Sequence, residues 1–179
     1  MSFRKNLAWL YDAAGYLAAF FVFGIFAVMI GQTVMRELGL KTSGADDLTK
    51  WFSAAAAFLA MAHAFRRGDF VRVTLLIDNV GPRTRRVMEL ASLAVASAAC
   101  AYLAFWATRS TYESWLYKDM SDGVIAVALW IPQLSFVVGA ILLALAVIEQ
   151  LVIVSLGEKP SYVVAVEERH ARGDFSEDL

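Results

Sequence analysis

Three ionisable side chains of this sequence lie within long apolar runs, where such groups are rare. They are His63, Glu89 and Glu149. Charged groups inside a membrane are costly, and they often belong to a proton or cation pathway. A simpler interpretation is that Glu89 is hydrated near the membrane surface and Glu149 is hydrogen-bonded at a helix contact. We favour the simpler interpretation, because residues 13–35 lack the carboxylate that a four-helix drug antiporter needs in its first span.

Other reaction chemistries lack the residues that they require. The one cysteine, Cys100, can form neither an internal disulfide nor a thiolate metal cluster. Of the two histidines, His170 lies near the C-terminus, so His63 alone cannot supply the paired axial ligands of a haem anchor. The sequence contains no glycine-rich phosphate loop and no plausible Ser/His/Asp or metal-hydrolase set. We therefore predict no catalytic, cofactor-binding or metal-binding residue, and no enzyme activity.

The composition predicts a membrane protein. Of 179 residues, 59% are hydrophobic and only 18% are charged, whereas soluble domains usually carry about 25% charged residues. A buried helix of a soluble protein is disfavoured, because few polar residues remain to coat a surface. The apolar residues predict an all-α polytopic protein with a membrane domain over residues 1–160. Its four transmembrane helices are expected at residues 14–35, 48–66, 87–108 and 131–156.

The connections between the spans carry further signals. Asp46 and Asp47 precede the second span, where a carboxylate can cap the free N–H groups of a helix. Residues 69–80 are too short and too charged to span, and their apolar residues recur at helical spacing. They are expected to form a short interfacial helix on the cytoplasmic side. Residues 161–179 are expected to form a polar cytoplasmic tail.

Lysine and arginine residues predict the orientation of the chain. Eleven of the 16 lie in the N-terminal segment, the 66–86 connection and the C-terminal tail. Because cytoplasmic segments carry an excess of these residues, we expect both termini in the cytoplasm. The net charge of −1 gives no reason to expect binding to nucleic acid.

An ordered set of residues resembles a known family. Arg36 ends the first span, Asp47 opens the second, and an alanine-rich stretch begins at Trp51 and stops at Arg66-Arg67-Gly68. The fourth span opens with Trp130-Ile131-Pro132-Gln133. With the four-helix plan, this set resembles the small membrane subunit, the DctQ-like or Q subunit, of tripartite ATP-independent periplasmic (TRAP) transporters.

The resemblance implies a subunit of a secondary transporter in the bacterial inner membrane. A periplasmic binding protein would deliver an organic acid, and a large membrane subunit would import it with an ion gradient, with sodium as the expected coupling ion. The small subunit would brace the large one, contact membrane lipids, and help to dock the binding protein through its outer loops. No cofactor is implied.

Eight residues are the candidates for structural or interface positions. Arg36 and Asp47 flank one short outer loop and could pair. Arg66 and Arg67 are expected either to meet anionic headgroups or only to set the topology of the chain. The full set is Arg36, Asp47, Trp51, Arg66, Arg67, Trp130, Pro132 and Glu149.

Two other functions remain open at this point. One is a self-sufficient small homo-oligomeric transporter, for which Glu89 or Glu149 would be essential. The other is the membrane anchor of an electron-transfer complex.

Overall fold

The computed structural model describes residues 2–40, 42–68, 81–157, 160–164 and 171. This part of the chain is helical and contains no β-strand, which confirms the predicted all-α class. The expected interfacial helix at 69–80 lies outside the described residues, as does most of the expected tail at 161–179. The long helices are α1 (Ser2–Glu37), α2 (Ala45–Arg67), α3 (Pro82–Leu116) and α4 (Trp130–Ser155).

Two helices are longer than the expected spans. α1 begins at Ser2, so residues 2–12 continue the first helix, and α3 runs on to Leu116. At 1.5 Å per residue each helix is more than about 50 Å long, against a hydrocarbon layer of about 30 Å. The extension of α3 is helical because residues 109–116 contain neither glycine nor proline. It is also supported by an ion pair one turn apart, between Arg109 and Glu113 at 2.9 Å.

Glycines with positive φ bound α2. Gly44, at φ 89°, is its N-cap, so Asp47 lies inside the first turn and does not occupy the capping position. At the other end Gly68, at φ 81°, donates its N–H to the carbonyls of Ala64 and Phe65. Such left-handed residues end helices and are usually glycine, because they carry no Cβ penalty.

The helices pack in the spatial order α1, α2, α4, α3. α2 contacts both α1 and α4, whereas α1 and α3 each have one extensive helical contact among the described residues. Close approach of α2 and α4 depends on Gly139, which lies against the backbone of Phe58. Beside it the rings of Phe58 and Phe136 meet edge to face at 4.4 Å. α2 is therefore enclosed between α1 and α4.

Within the described residues, three helical segments are long and apolar enough to cross a membrane. They are Leu7–Glu37, Arg83–Leu116 and Trp130–Ser155. α2 is not among them: its middle is largely alanine, and charged residues lie near both ends. The span expected at residues 48–66 is thus present as a helix, but it is not apolar enough to count among these three segments.

The two outermost helices expose wide apolar surfaces. In the most apolar stretch of each helix, only 11% of the residues of α1 and 22% of those of α3 are buried. The corresponding fraction for α4 is 56%. Aromatic residues are prominent on these surfaces, among them Trp9, Tyr16, Phe20, Phe23, Phe26, Tyr102, Phe105 and Trp106. Surfaces of this extent require lipid or a partner protein to cover them.

Candidate functional site

Polar contacts gather at the two ends of the helices. The first group is called the Asp47 end, where α1 and α3 finish and α2 and α4 begin. The second is called the Tyr11 end, where α1 and α3 begin and α2 and α4 finish.

At the Asp47 end, the carboxylate of Asp47 holds the loop between α3 and α4. Asp47 is only 7% exposed, and its Oδ2 accepts the N–H of Ile125 at 3.3 Å. The carboxylate leaves no room for a side chain at Gly123. Lys50 lies 3.5 Å from Oδ1 of Asp47. The N–H of Ile125, then that of Val124 and the charge of Lys50, lower the pKa of Asp47 below its ordinary value of 3.8, against an opposing effect of burial.

Two further contacts join the connections at the Asp47 end. Gln32 of α1 donates to Asp46 of α2 at 3.3 Å, and Gly44 packs against the side chain of Ile125. Arg36 is exposed in the last turn of α1. The expected pair of Arg36 with Asp47 is not formed, because the contacts of Asp47 are to Lys50 and to the loop.

The remaining candidates at the Asp47 end lie on α2 and α4. Trp51 is half-buried near the start of α2, and Pro132 is the third residue of α4. Trp130 opens α4 and lines an open groove of about 310 Å³. The other lining residues are Trp115, Leu116, Lys118, Met120 and Ala128.

At the Tyr11 end, a fully buried tyrosine brings together two of the candidates. Tyr11 of α1 is 0% exposed. The guanidinium carbon of Arg66, on α2, lies 5.0 Å from the centroid of its ring. Glu149, on α4, lies beside its hydroxyl. A second contact joins the same two helices, α1 and α2: Nδ1 of His63 lies 3.2 Å from Oδ1 of Asp12, the residue after Tyr11. The arrangement joins three helices through charged and polar groups.

The chain after α4 folds back over the Tyr11 end. Gln150 is fully buried, and its Oε1 accepts the N–H of Ser161 at 2.9 Å. The ring of Tyr162 then meets that of Phe65 at 6.0 Å. Ser161 and Tyr162, the first described residues of the expected polar tail, are therefore packed against the Tyr11 end.

Arginines surround the outside of the Tyr11 end. Arg67 is exposed at the end of α2. Arg86, near the start of α3, donates to the carbonyl of Ser155 at 3.3 Å. Glu89, one of the three ionisable residues in apolar runs, lies 3.8 Å from Arg85 on its own helix.

Sequence reasoning missed three residues of the Tyr11 end. It selected none of Tyr11, Asp12 and Gln150 as a candidate. The spacing of Tyr11, Ala14 and Ala18, which are all buried on one face of α1, was the available signal.

The polar contacts described above are contacts between helices and loops. Within residues 2–40, 42–68, 81–157 and 160–164, no group of three or more His, Cys, Asp or Glu residues could hold a metal ion. The polar contacts instead tie the helix ends together.

Comparison with known proteins gives one family. The family model described as tripartite ATP-independent periplasmic transporters, DctQ component, matches residues 25–155. The match covers most of the chain, including all of α2, α3 and α4. No match is found among curated proteins. The resemblance inferred from the sequence is confirmed, and the family is one of transporter components and not of enzymes. The chain therefore belongs to the DctQ family and is the small membrane subunit of a tripartite ATP-independent periplasmic transporter.

Proposed function

We propose that this subunit braces the large membrane subunit of its transporter and carries no substrate itself. The large subunit imports an organic acid, with sodium as the coupling ion, after a periplasmic binding protein has delivered it. The observation that carries the proposal is the placing of charge. Every buried or half-buried Asp, Glu, His, Lys or Arg side chain described in the helices lies within about two turns of a helix end. They are Asp47, His63, Arg66, Glu89 and Glu149.

This placing leaves the middle of the described helices without a buried charged side chain. Transport of an anion with sodium requires polar groups near the middle of the membrane, to replace the water lost by both solutes. The wide apolar surfaces of α1 and α3 suit packing against other helices and lipid. A brace requires such surfaces, and a self-sufficient transporter requires a polar pathway.

We also propose that α2 is a fourth membrane span. α1 and α3 both finish at the Asp47 end, where Gly44 and Asp47 meet the α3–α4 loop. If α1 and α3 both cross the membrane, they cross in the same direction, and the chain must return between them. α2 is the described helix that makes this return. Its modest hydropathy is tolerable because α1 and α4 cover it on two sides.

The Tyr11 end is proposed to face the cytoplasm of the bacterial inner membrane. Arginines are concentrated there, at Arg66 and Arg67 and in the first turns of α3, in agreement with the positive-inside rule. Near anionic headgroups each exposed arginine would contribute about 1 kcal/mol. The interfacial helix at 69–80 would lie on this side.

The Asp47 end is then periplasmic, where the binding protein docks. The contact between Asp47 and Ile125 fixes the α3–α4 loop, so a partner would meet a pre-organised surface. Binding to a pre-organised loop loses less entropy than binding to a mobile one.

Reconstitution into liposomes tests the proposed function. The small subunit alone should give no uptake of an organic acid. The large subunit, small subunit and binding protein together should give uptake driven by an inward sodium gradient. Omission of the small subunit should lower uptake more than tenfold, because the large subunit loses its brace. Uptake by the small subunit alone would contradict the proposal, and equal uptake with a potassium gradient would contradict the sodium coupling.

A further inference from the structure

The groove at the Asp47 end is built from two helix ends and the loop that joins them. Its volume of about 310 Å³ is at the lower end of the size range of ligand pockets. Trp115 and Leu116 end α3, Trp130 opens α4, and Lys118, Met120 and Ala128 belong to the loop. Because half of the lining comes from the loop, the groove lies at the tip of this helix pair and not along its side.

The groove lies beyond the hydrocarbon layer of a membrane that α3 crosses. Arg86, near the start of α3, donates to Ser155 at the end of α4, so this level marks the membrane surface at the Tyr11 end. A layer of about 30 Å corresponds to about 20 helical residues, which places its other surface near Trp106. Trp115 lies about 13 Å further along α3, whereas the headgroup layer adds only about 5–7 Å.

The side chains near the groove agree with this position. Arg109 and Glu113 form an exposed ion pair between Trp106 and the groove, and such a pair is costly in hydrocarbon. Large apolar side chains continue beyond it, each more than half exposed: Tyr112, Trp115, Leu116, Tyr117 and Met120. Because lipid tails do not reach this level, a protein is required to cover this surface.

Backbone hydrogen bonds hold the loop side of the groove in place. Met120 and Ala128 pair as an antiparallel β-bridge, and the N–H of Leu129 donates to the carbonyl of Asp119 at 2.9 Å. Lys118 joins this loop to α3 with φ at 54°, in the left-handed region, where the surrounding structure must hold a residue other than glycine. The groove is therefore formed before a partner binds, and docking costs little ordering entropy.

We propose that this groove is the docking site for the periplasmic binding protein of the transporter. Lys118 is the cation of a lining whose other residues are apolar. It therefore selects a partner surface on which an apolar side chain lies next to a carboxylate. A soluble protein can approach the tip of α3 and α4, whereas the large subunit shares the membrane and meets the sides of the helices. The inference rests on the proposed function, which places the Asp47 end in the periplasm.

Binding of the purified binding protein to the assembled transporter in nanodiscs tests the docking site. Trp115→Ala removes an aromatic wall of the groove, and Lys118→Glu reverses its charge. We expect each to raise the Kd by about tenfold or more, since a tryptophan or a charge pair at the centre of an interface dominates binding. Lys118→Glu should also weaken the dependence of the association rate on salt. Wild-type affinity in either variant would overturn the proposal.

Trp9→Ala is the matched control. Trp9 is 72% exposed at the Tyr11 end, so its loss should leave the Kd unchanged. Recovery of the large subunit with each groove variant should equal wild type. Loss of the large subunit from the Trp115→Ala complex would overturn the docking site, because the groove would then belong to the brace. If the groove variants bind normally while uptake still requires the small subunit, this inference fails and the proposed function stands.

Discussion

Asp47 is the charged residue whose side chain is most fully enclosed in the described structure. The sequence marks it as a helix-start carboxylate and pairs it with Arg36 across a short loop. The observed partner, the N–H of Ile125, lies 78 residues further along the chain. Local spacing could not predict this contact, because it depends on how α3 and α4 bring their loop over the start of α2. The type of residue was therefore predictable and its partner was not.

Asp47→Asn should destabilise the subunit in a pH-dependent manner. The hydrogen bonds from the loop hold the pKa of Asp47 below its ordinary value of 3.8. A carboxyl whose pKa is lower in the folded state stabilises the fold above its unfolded pKa, and this contribution disappears as the pH falls through the folded pKa. The variant should therefore have a Tm a few degrees lower than wild type at pH 7. The difference should shrink below about pH 4.

Thermal unfolding in nanodiscs between pH 7 and pH 3 measures this effect. Asp46→Asn is the control, because Asp46 is exposed and its contact is to Gln32 alone. An Asp47→Asn deficit that stays constant down to pH 3 would show that the charge of the carboxylate has no part in the contact.

At the scale of the helix, composition and periodicity predict where a helix occurs better than they predict the residues at which it begins and ends. Helices are present at all four expected positions, and three of them, α1, α3 and α4, are long and apolar enough to cross a membrane. The true ends lie further out, since the polar residues 109–116 continue α3 with the support of the Arg109–Glu113 pair. Hydropathy detects where lipid could be, whereas helices end at residues such as Gly44 and Gly68.

A comparison of two helix glycines, Gly139 and Gly31, tests the contact between α2 and α4. Gly139 is closely packed, whereas Gly31 is not. A Cβ on Gly139 would lie 2.5 Å from the carbonyl oxygen of Phe58, which is a backbone atom. Gly139→Ala must therefore push α2 and α4 apart, at a cost of about 1–3 kcal/mol. A Cβ on Gly31 would meet nothing within 4 Å, so Gly31→Ala should be neutral or stabilising by up to about 1 kcal/mol.

Unfolding of the two variants by SDS titration compares them under one condition. The expected order of stability is Gly31→Ala at or above wild type, and Gly139→Ala well below it. If Gly139→Ala were as stable as wild type, the close contact between α2 and α4 would not be a determinant of the fold.

For the whole molecule, the apolar runs predicted four spans, and the distribution of lysine and arginine predicted that both termini lie on the cytoplasmic side. The structure adds an independent argument for four spans. The connection at residues 42–47 contacts the α3–α4 loop through Gly44 and Ile125. Two segments in contact lie on the same side of a membrane. If α1 and α3 cross the membrane, they therefore cross in the same direction, and α2 must cross in the opposite direction between them.

Cysteine labelling distinguishes four spans from three. In a Cys100→Ser background, Ser43→Cys and Asp122→Cys place single thiols at exposed positions of the Asp47 end, and Leu156→Cys places one at the Tyr11 end. With four spans, a membrane-impermeant maleimide should label the first two in intact cells. The third should be labelled only in inside-out vesicles. If α2 did not cross, Ser43→Cys and Asp122→Cys would be labelled from opposite sides, because α3 alone would separate them.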